Sequence, residues 1–120
     1  MPRKALLAED SPEVREAFVE LLATAGWDVA AVEDGVSAVE RALALRPDVV
    51  VVDVGLPGLD GLEVARRIRA SLGAAPFLVA VTGYGRSDDR GRTLEAGFDV
   101  HLVKPVDVDE LLRVLARGRG

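Results

Sequence analysis

Short apolar runs recur along the chain at Lys4 to Ala8, Trp27 to Val32, Asp48 to Val52, Phe77 to Val81 and Val100 to Val103. A longer stretch with helical periodicity follows each of them. Runs that are apolar at successive positions, rather than at alternate ones, fit strands covered on both faces. Such strands belong to parallel sheets packed between helices. The alternation therefore predicts the order βαβαβαβαβα.

The intervening segments carry helix signals of their own. Val14, Phe18, Leu21 and Leu22 recur at helical spacing behind Ser11-Pro12, an N-cap followed by proline at the first helical position, and Gly26 ends the segment. Ser37 to Leu45 and Leu62 to Leu72 repeat the pattern. Asp107 with Glu110 resembles a capping box, and Leu111, Leu112 and Leu115 form the inner face of the last helix. The fourth helix, roughly Asp88 to Ala96, is the weakest, because Gly83, Gly85 and Gly91 crowd its start and an interior glycine costs up to ~1 kcal/mol. A mobile segment is expected there, and a frayed tail over Arg117 to Gly120. Five β-α units make an α/β fold: a doubly wound five-stranded parallel sheet, flavodoxin-like (βα)5.

Composition narrows the setting. The length of 120 residues holds one hydrophobic core, so residues 1–120 are read as one domain. The chain is 49% hydrophobic but only 4% aromatic, so Val, Leu and Ala must build that core. A net charge of -5 argues against a nucleic-acid-binding surface, which needs basic stripes to displace counterions. With no cysteine and a single histidine, neither disulfides nor thiolate or multi-histidine metal sites are possible. No apolar run approaches the ~20 residues that cross a bilayer. A cytoplasmic protein or domain is expected.

In an open parallel sheet, ligands bind at the carboxyl ends of the strands. Here those ends are polar: Glu9-Asp10 after the first strand, Asp53 after the third, Thr82 after the fourth, and Lys104-Pro105 after the fifth. Carboxylates on neighbouring strands repel by a few kcal/mol at an effective dielectric of ~20 unless a cation sits between them. Oxygen-only donors favour a hard ion such as Mg2+, which takes one or two carboxylates, water and a phosphate oxygen. Asp53 is the best candidate nucleophile, since a carboxylate can attack phosphorus when the incoming oxygens are neutralised. Thr82 and Lys104 would receive the remaining phosphoryl oxygens. Taken singly, each residue has a plainer use: Asp10 as a helix cap, Thr82 as a turn residue, Lys104 as a solvated charge. Only the set points to chemistry. Asp60, Asp88 and Asp89 read as loop and helix-start acids, and Arg66, Arg67 and Arg69 as an exposed helix face.

The set resembles the receiver domain of two-component response regulators over essentially all of Lys4 to Arg117. The resemblance rests on Glu9-Asp10, on Asp53 followed by VGLPGLDG, on Thr82-Gly83, and on AGFDVHLVKP ending in Lys104-Pro105. It implies Asp53 as phosphoacceptor, Glu9 and Asp10 as metal-site acids with the backbone carbonyl of Gly55 completing the Mg2+ shell, and Thr82 as a switch hydroxyl. It also implies Lys104 as the phosphoryl-contacting lysine, with a cis peptide before Pro105. The partners implied are a histidine kinase or histidine phosphotransfer domain, and an output protein or fused effector reached through the fourth helix, fifth strand and fifth helix. Such a domain is no conventional enzyme, but it catalyses its own phosphorylation and dephosphorylation. No DNA-binding helix-turn-helix or effector enzyme follows the last helix, so output is expected in another protein or in a longer parent chain; GFDVHLVKPVD is similar to receivers fused to hybrid histidine kinases.

Some positions depart from the family pattern. His101 stands where the family usually has Tyr or Phe as a rotameric switch. It is either a partly exposed strand residue with no special role or an imidazole switch that hydrogen-bonds Thr82 or a loop carbonyl. Gly55 and Tyr84 occupy positions that flank the phosphoryl group, one opening access and the other blocking it. The alternative function is a pseudo-receiver, an interaction module that is not phosphorylated, against which the intact Glu9, Asp10, Asp53, Thr82 and Lys104 count. A phosphohydrolase would want an acid where Gly55 stands, and a flavodoxin-like cofactor site would want a phosphate-cradling loop where Glu9-Asp10 stands.

Overall fold

The computed structural model describes residues 3–83 and 87–117, with the backbone alone for 87–90. Tyr84, Gly85, the side chains of Asp88 and Asp89, and the tail beyond Arg117 lie outside the described residues. The elements alternate strictly: β1 (Lys4–Ala8), α1 (Pro12–Thr24), β2 (Asp28–Val32), α2 (Gly35–Leu45), β3 (Val49–Asp53), α3 (Gly61–Leu72), β4 (Phe77–Thr82), α4 (Ser87–Ala96), β5 (Val100–Val103) and α5 (Val108–Arg117). All strands are parallel in the order β2-β1-β3-β4-β5, the flavodoxin-like winding.

Alternate residues of each central strand enter opposite layers. Leu6, Ala8, Val50, Val52, Leu78 and Ala80 pack with Ala38, Ala42 and Ile68 of α2 and α3, and with Ala96 and Phe98 at the end of α4. Leu7, Val49, Val51, Val79, Val81 and Leu102 pack with Leu22 of α1 and with Leu111, Val114 and Leu115 of α5. The continuous apolar runs are explained by this double coverage. β2 is the exception: it lies at the sheet edge and none of its residues is fully buried.

Side-chain caps set the helix starts. Ser11 Oγ accepts from Val14 N, so Ser11 rather than Asp10 caps α1. Asp34, Asp60 and Asp107 accept from Ser37, Glu63 and Glu110 N–H groups at 2.7, 2.9 and 3.1 Å. Asp10 is thereby left available for another use.

Two details lie beyond the pattern of the sequence. Arg66 and Arg67 are exposed and pair with Glu63, but Arg69 does not belong to an exposed face. Its guanidinium donates to the carbonyls of Gly97, Gly73 and Pro76 at 2.9, 3.0 and 2.7 Å and to Asp99 Oδ2 at 2.8 Å. The second is Gly35, where an added Cβ would lie 1.9 Å from the Leu59 carbonyl oxygen. Gly35→Ala must therefore push the β3–α3 loop off the start of α2. We expect a loss of about 1–3 kcal/mol, read as a lower urea midpoint at unchanged slope. A midpoint equal to wild type would show that the loop yields freely.

Candidate functional site

The strand order brings the carboxyl ends of β1 and β3 side by side, where chain connections leave in opposite directions and a crevice opens. Register does the rest. Ala8 faces Val52, so Glu9 and Asp10 emerge next to Asp53. Asp53 faces Val81 and Thr82 faces Val103, which puts Thr82 one residue and Lys104 two residues further along the same rim. Backbone bonds from Lys104 N to Thr82 O at 2.8 Å and from Val54 N to Val81 O at 3.0 Å hold these ends together. Arg15 braces the acidic pair from α1, donating to the Glu9 and Asp10 carbonyls at 3.0 and 3.4 Å. The peptide between Lys104 and Pro105 is cis.

Carboxylate oxygens of Glu9, Asp10 and Asp53 lie within 4.8 Å of one another. Glu9 is buried, only 3% exposed, and its pKa rises to about 7, mainly through burial and then through the hydrogen bond and charge of Asp53. Asp53 moves the other way. Burial opposes its charge, but bonds from Glu9, the Gly55 N–H and Lys104 outweigh it and hold the carboxyl below its ordinary value. Gly55 N donates to Oδ1 and Lys104 Nζ to Oδ2, both at 3.0 Å. Burial likewise opposes the Lys104 charge, yet the bond to Asp53 and its charge hold the ammonium above its usual pKa. Lys104 also lies 3.7 Å from Glu9. The repulsion expected from the sequence is thus relieved in two ways: a proton on Glu9 at acidic to neutral pH, and one ammonium shared between strands.

A cleft of roughly 420 Å³ opens over Asp53, walled by Gly55, Leu62, Thr82, Arg92, Thr93 and Lys104 among others. Arg92 and Thr93, both on α4, carry no mark in the sequence pattern that would assign them to this wall. A hint was present for Thr93: the two ring nitrogens of a neutral imidazole each take a hydrogen-bond partner, so His101 called for a second one beside Thr82. His101 Nε2 lies 2.9 Å from Thr82 Oγ1 and Nδ1 lies 3.0 Å from Thr93 Oγ1. Asp60 remains a cap of α3 and Asp99 a partner of Arg69, both apart from the acidic cluster.

A family model for the response regulator receiver domain matches residues 5–116. The chain belongs to this family. Response regulator MprA of Mycobacterium sp. (strain KMS) is 40% identical over 112 residues, covering 93% of this chain and 48% of MprA. This receiver therefore spans about half the length of the curated relatives it matches. Among solved structures, the receiver domain of sensor histidine kinase PA1611 from Pseudomonas aeruginosa PAO1 superposes with a TM-score of 0.89 at 36% identity, over 98% of this chain and 97% of that one. That domain has a magnesium ion coordinated in its active-site cleft. Chemotaxis response regulator CheY4 of Vibrio cholerae gives 0.91 at 27% identity, over 98% and 99% of the two chains. Two-component signalling is thus the setting of this fold. Among the described residues no helix is long and apolar enough to cross a membrane.

Proposed function

We propose that Asp53 accepts a phosphoryl group from a phosphohistidine on a histidine kinase or histidine phosphotransfer partner. The observation that carries this reading is the Lys104 ammonium, 3.0 Å from an Asp53 oxygen, at a cleft whose rim supplies two further carboxylates within 4.8 Å. A carboxyl held below its ordinary pKa keeps its lone pairs available for attack on phosphorus. One Asp53 oxygen bonds to phosphorus as the bond to the partner's imidazole nitrogen breaks, and the imidazole leaves with its electron pair. Lys104 and the Thr82 hydroxyl then offer a compact charge and a hydrogen bond to the phosphoryl oxygens.

The donor set fits Mg2+, being all oxygen and carboxylate-rich. Glu9, Asp10, Asp53 and the Gly55 carbonyl would hold the ion. When bound, it supplies neutralisation of charge on the transferring oxygens. Phosphorylation adds about -1.5 to -2 charges, and Thr82 passes the change to α4, β5 and α5. Exposed apolar Leu94, Val103 and Val108 on these elements support that face as the one that meets an output protein or fused effector. The setting of this exchange is the cytoplasm, where partner kinases present their phosphohistidines.

Intact mass after incubation with acetyl phosphate and Mg2+ tests the reading. Wild type is expected to gain one phosphate, and excess chelator to abolish the gain. No adduct under rapid quenching would favour the unphosphorylated interaction module.

A further inference from the structure

His101 is the one histidine in the sequence, and its ring joins hydroxyls from two other elements. Nε2 meets Thr82 Oγ1 at the end of β4, and Nδ1 meets Thr93 Oγ1 on α4, at 2.9 and 3.0 Å. Thr82 is 6% and Thr93 1% exposed, and the His101 ring that links them is half-buried. Register explains the meeting. His101 faces Ala80 across the β4–β5 ladder, so it shares a sheet face with Ala80 and Thr82, the face that Ala96 at the end of α4 also covers.

Proton counting limits what these groups can do. A neutral imidazole carries one N–H, so one ring nitrogen donates and the other accepts, and each threonine has a single O–H. If Nδ1 is protonated, Thr82 must give its only proton to Nε2 and has none for a second acceptor. If Nε2 is protonated, Thr82 accepts from the ring and can turn its own O–H elsewhere, while Thr93 donates into Nδ1. Both orders hold the same protons, one on the ring and one on each hydroxyl. Only their placement differs.

Resting on the reading of Asp53 as phosphoacceptor, we propose that phosphorylation selects the neutral Nε2–H tautomer of His101. Thr82 gives its O–H to a phosphoryl oxygen and keeps the ring as donor, and Thr93 turns its O–H into Nδ1. His101 and Thr93 are thereby positioning residues for Thr82. The state of the cleft reaches α4 as a reversal of hydrogen-bond direction, with no swing of the ring required.

The sole histidine makes the test direct. The full chain with 15N-labelled imidazole is phosphorylated with acetyl phosphate and Mg2+ at about pH 8.5, two decades above the ordinary imidazole pKa of ~6.5. Long-range proton–nitrogen correlation reads both ring nitrogens, and intact mass of the same sample gives the phosphorylated fraction. The expected result is a pyrrole-type Nε2 and an imine-type Nδ1 in the phosphorylated protein. In Thr93→Val the Nδ1 resonance should move downfield, toward an imine nitrogen with no hydrogen bond, and Thr93→Ser should bring it back. In Thr82→Val the tautomer should no longer respond to phosphorylation. A ring protonated at Nδ1 or at both nitrogens, in protein whose mass carries the phosphate, overturns the proposal, and so does a tautomer that is the same before and after phosphorylation. A sample that gains no mass overturns the phosphoacceptor reading and this one with it, so the two failures are distinguishable.

Discussion

Asp53→Ala is expected to gain no phosphate from acetyl phosphate under conditions that phosphorylate wild type. The neighbouring carboxyls cannot replace it. Glu9 is buried, only 3% exposed, and does not line the cleft that opens over Asp53. Asp10 is exposed, whereas Lys104 directs its bond of 3.0 Å to Asp53. Losing the nucleophile should slow adduct formation by at least about a thousandfold, equivalent to roughly 4 kcal/mol in the barrier. A time course of intact mass measures this, with Asp53→Asn as a variant that keeps the shape of the side chain. A phosphate on Asp53→Ala would move the acceptor to another acid.

Without divalent ions, the protein should be more stable near pH 5 than at pH 8. Glu9 ionises at 4.5 in the ordinary case but at about 7 in the fold, so the folded state binds more protons between these values. Stability then falls as pH rises through that window, and the fall is complete above about 7. At 1.36 kcal/mol per decade the gap between 4.5 and about 7 corresponds to about 3 kcal/mol. Asp53 acts on the acid side with the opposite sign. Its contribution is present above the ordinary Asp value of 3.8 and is lost as pH falls through its lower folded value. Lys104, raised above 10.5, contributes throughout the neutral range and is lost only as pH climbs past its folded value. Mg2+ binds the ionised carboxylates, so it should add more stability at pH 8 than at pH 5. Urea unfolding at both pH values, with chelator and with Mg2+, measures all four cases. A chelated protein equally stable at pH 5 and pH 8 would mean that Glu9 is not held protonated.

The parts of this fold that depend on neighbours along the chain are legible in the sequence. Apolar runs mark the strands, and Ser11, Asp60 and Asp107 sit at the helix starts that local capping chemistry demands. Strand limits differ by one residue at Trp27 and Asp48, which lie just outside β2 and β3, and at Asp53 and Thr82, which are the last residues of β3 and β4 rather than the first beyond them. The rim of polar strand ends can be assembled because the winding rule says which ends converge. What helical period cannot show is any contact between residues far apart along the chain. Arg69 resembles its exposed neighbours because its partners Gly97 and Asp99 are 28 and 30 residues away. Thr93 is hidden for a similar reason. Its partner His101 is close in sequence but on another element, and only the approach of α4 to β5 joins them. The shared ammonium of Lys104, 51 positions from Asp53, and the raised pKa of Glu9, set by burial and by Asp53, likewise arise from contacts far apart along the chain.

The grip of Arg69 on Gly97 sets the mechanics of α4. Gly97 follows the last residue of the helix with φ +116, and an added Cβ there would lie 2.7 Å from Arg69 Cγ, so guanidinium and glycine close tightly on each other. That end of the helix is a fulcrum. At 1.5 Å per residue, Thr93 stands about 6 Å from it and Ser87 about 15 Å. Any sideways displacement imposed at Thr93 is therefore multiplied roughly two- to threefold at the far end of the helix by leverage alone.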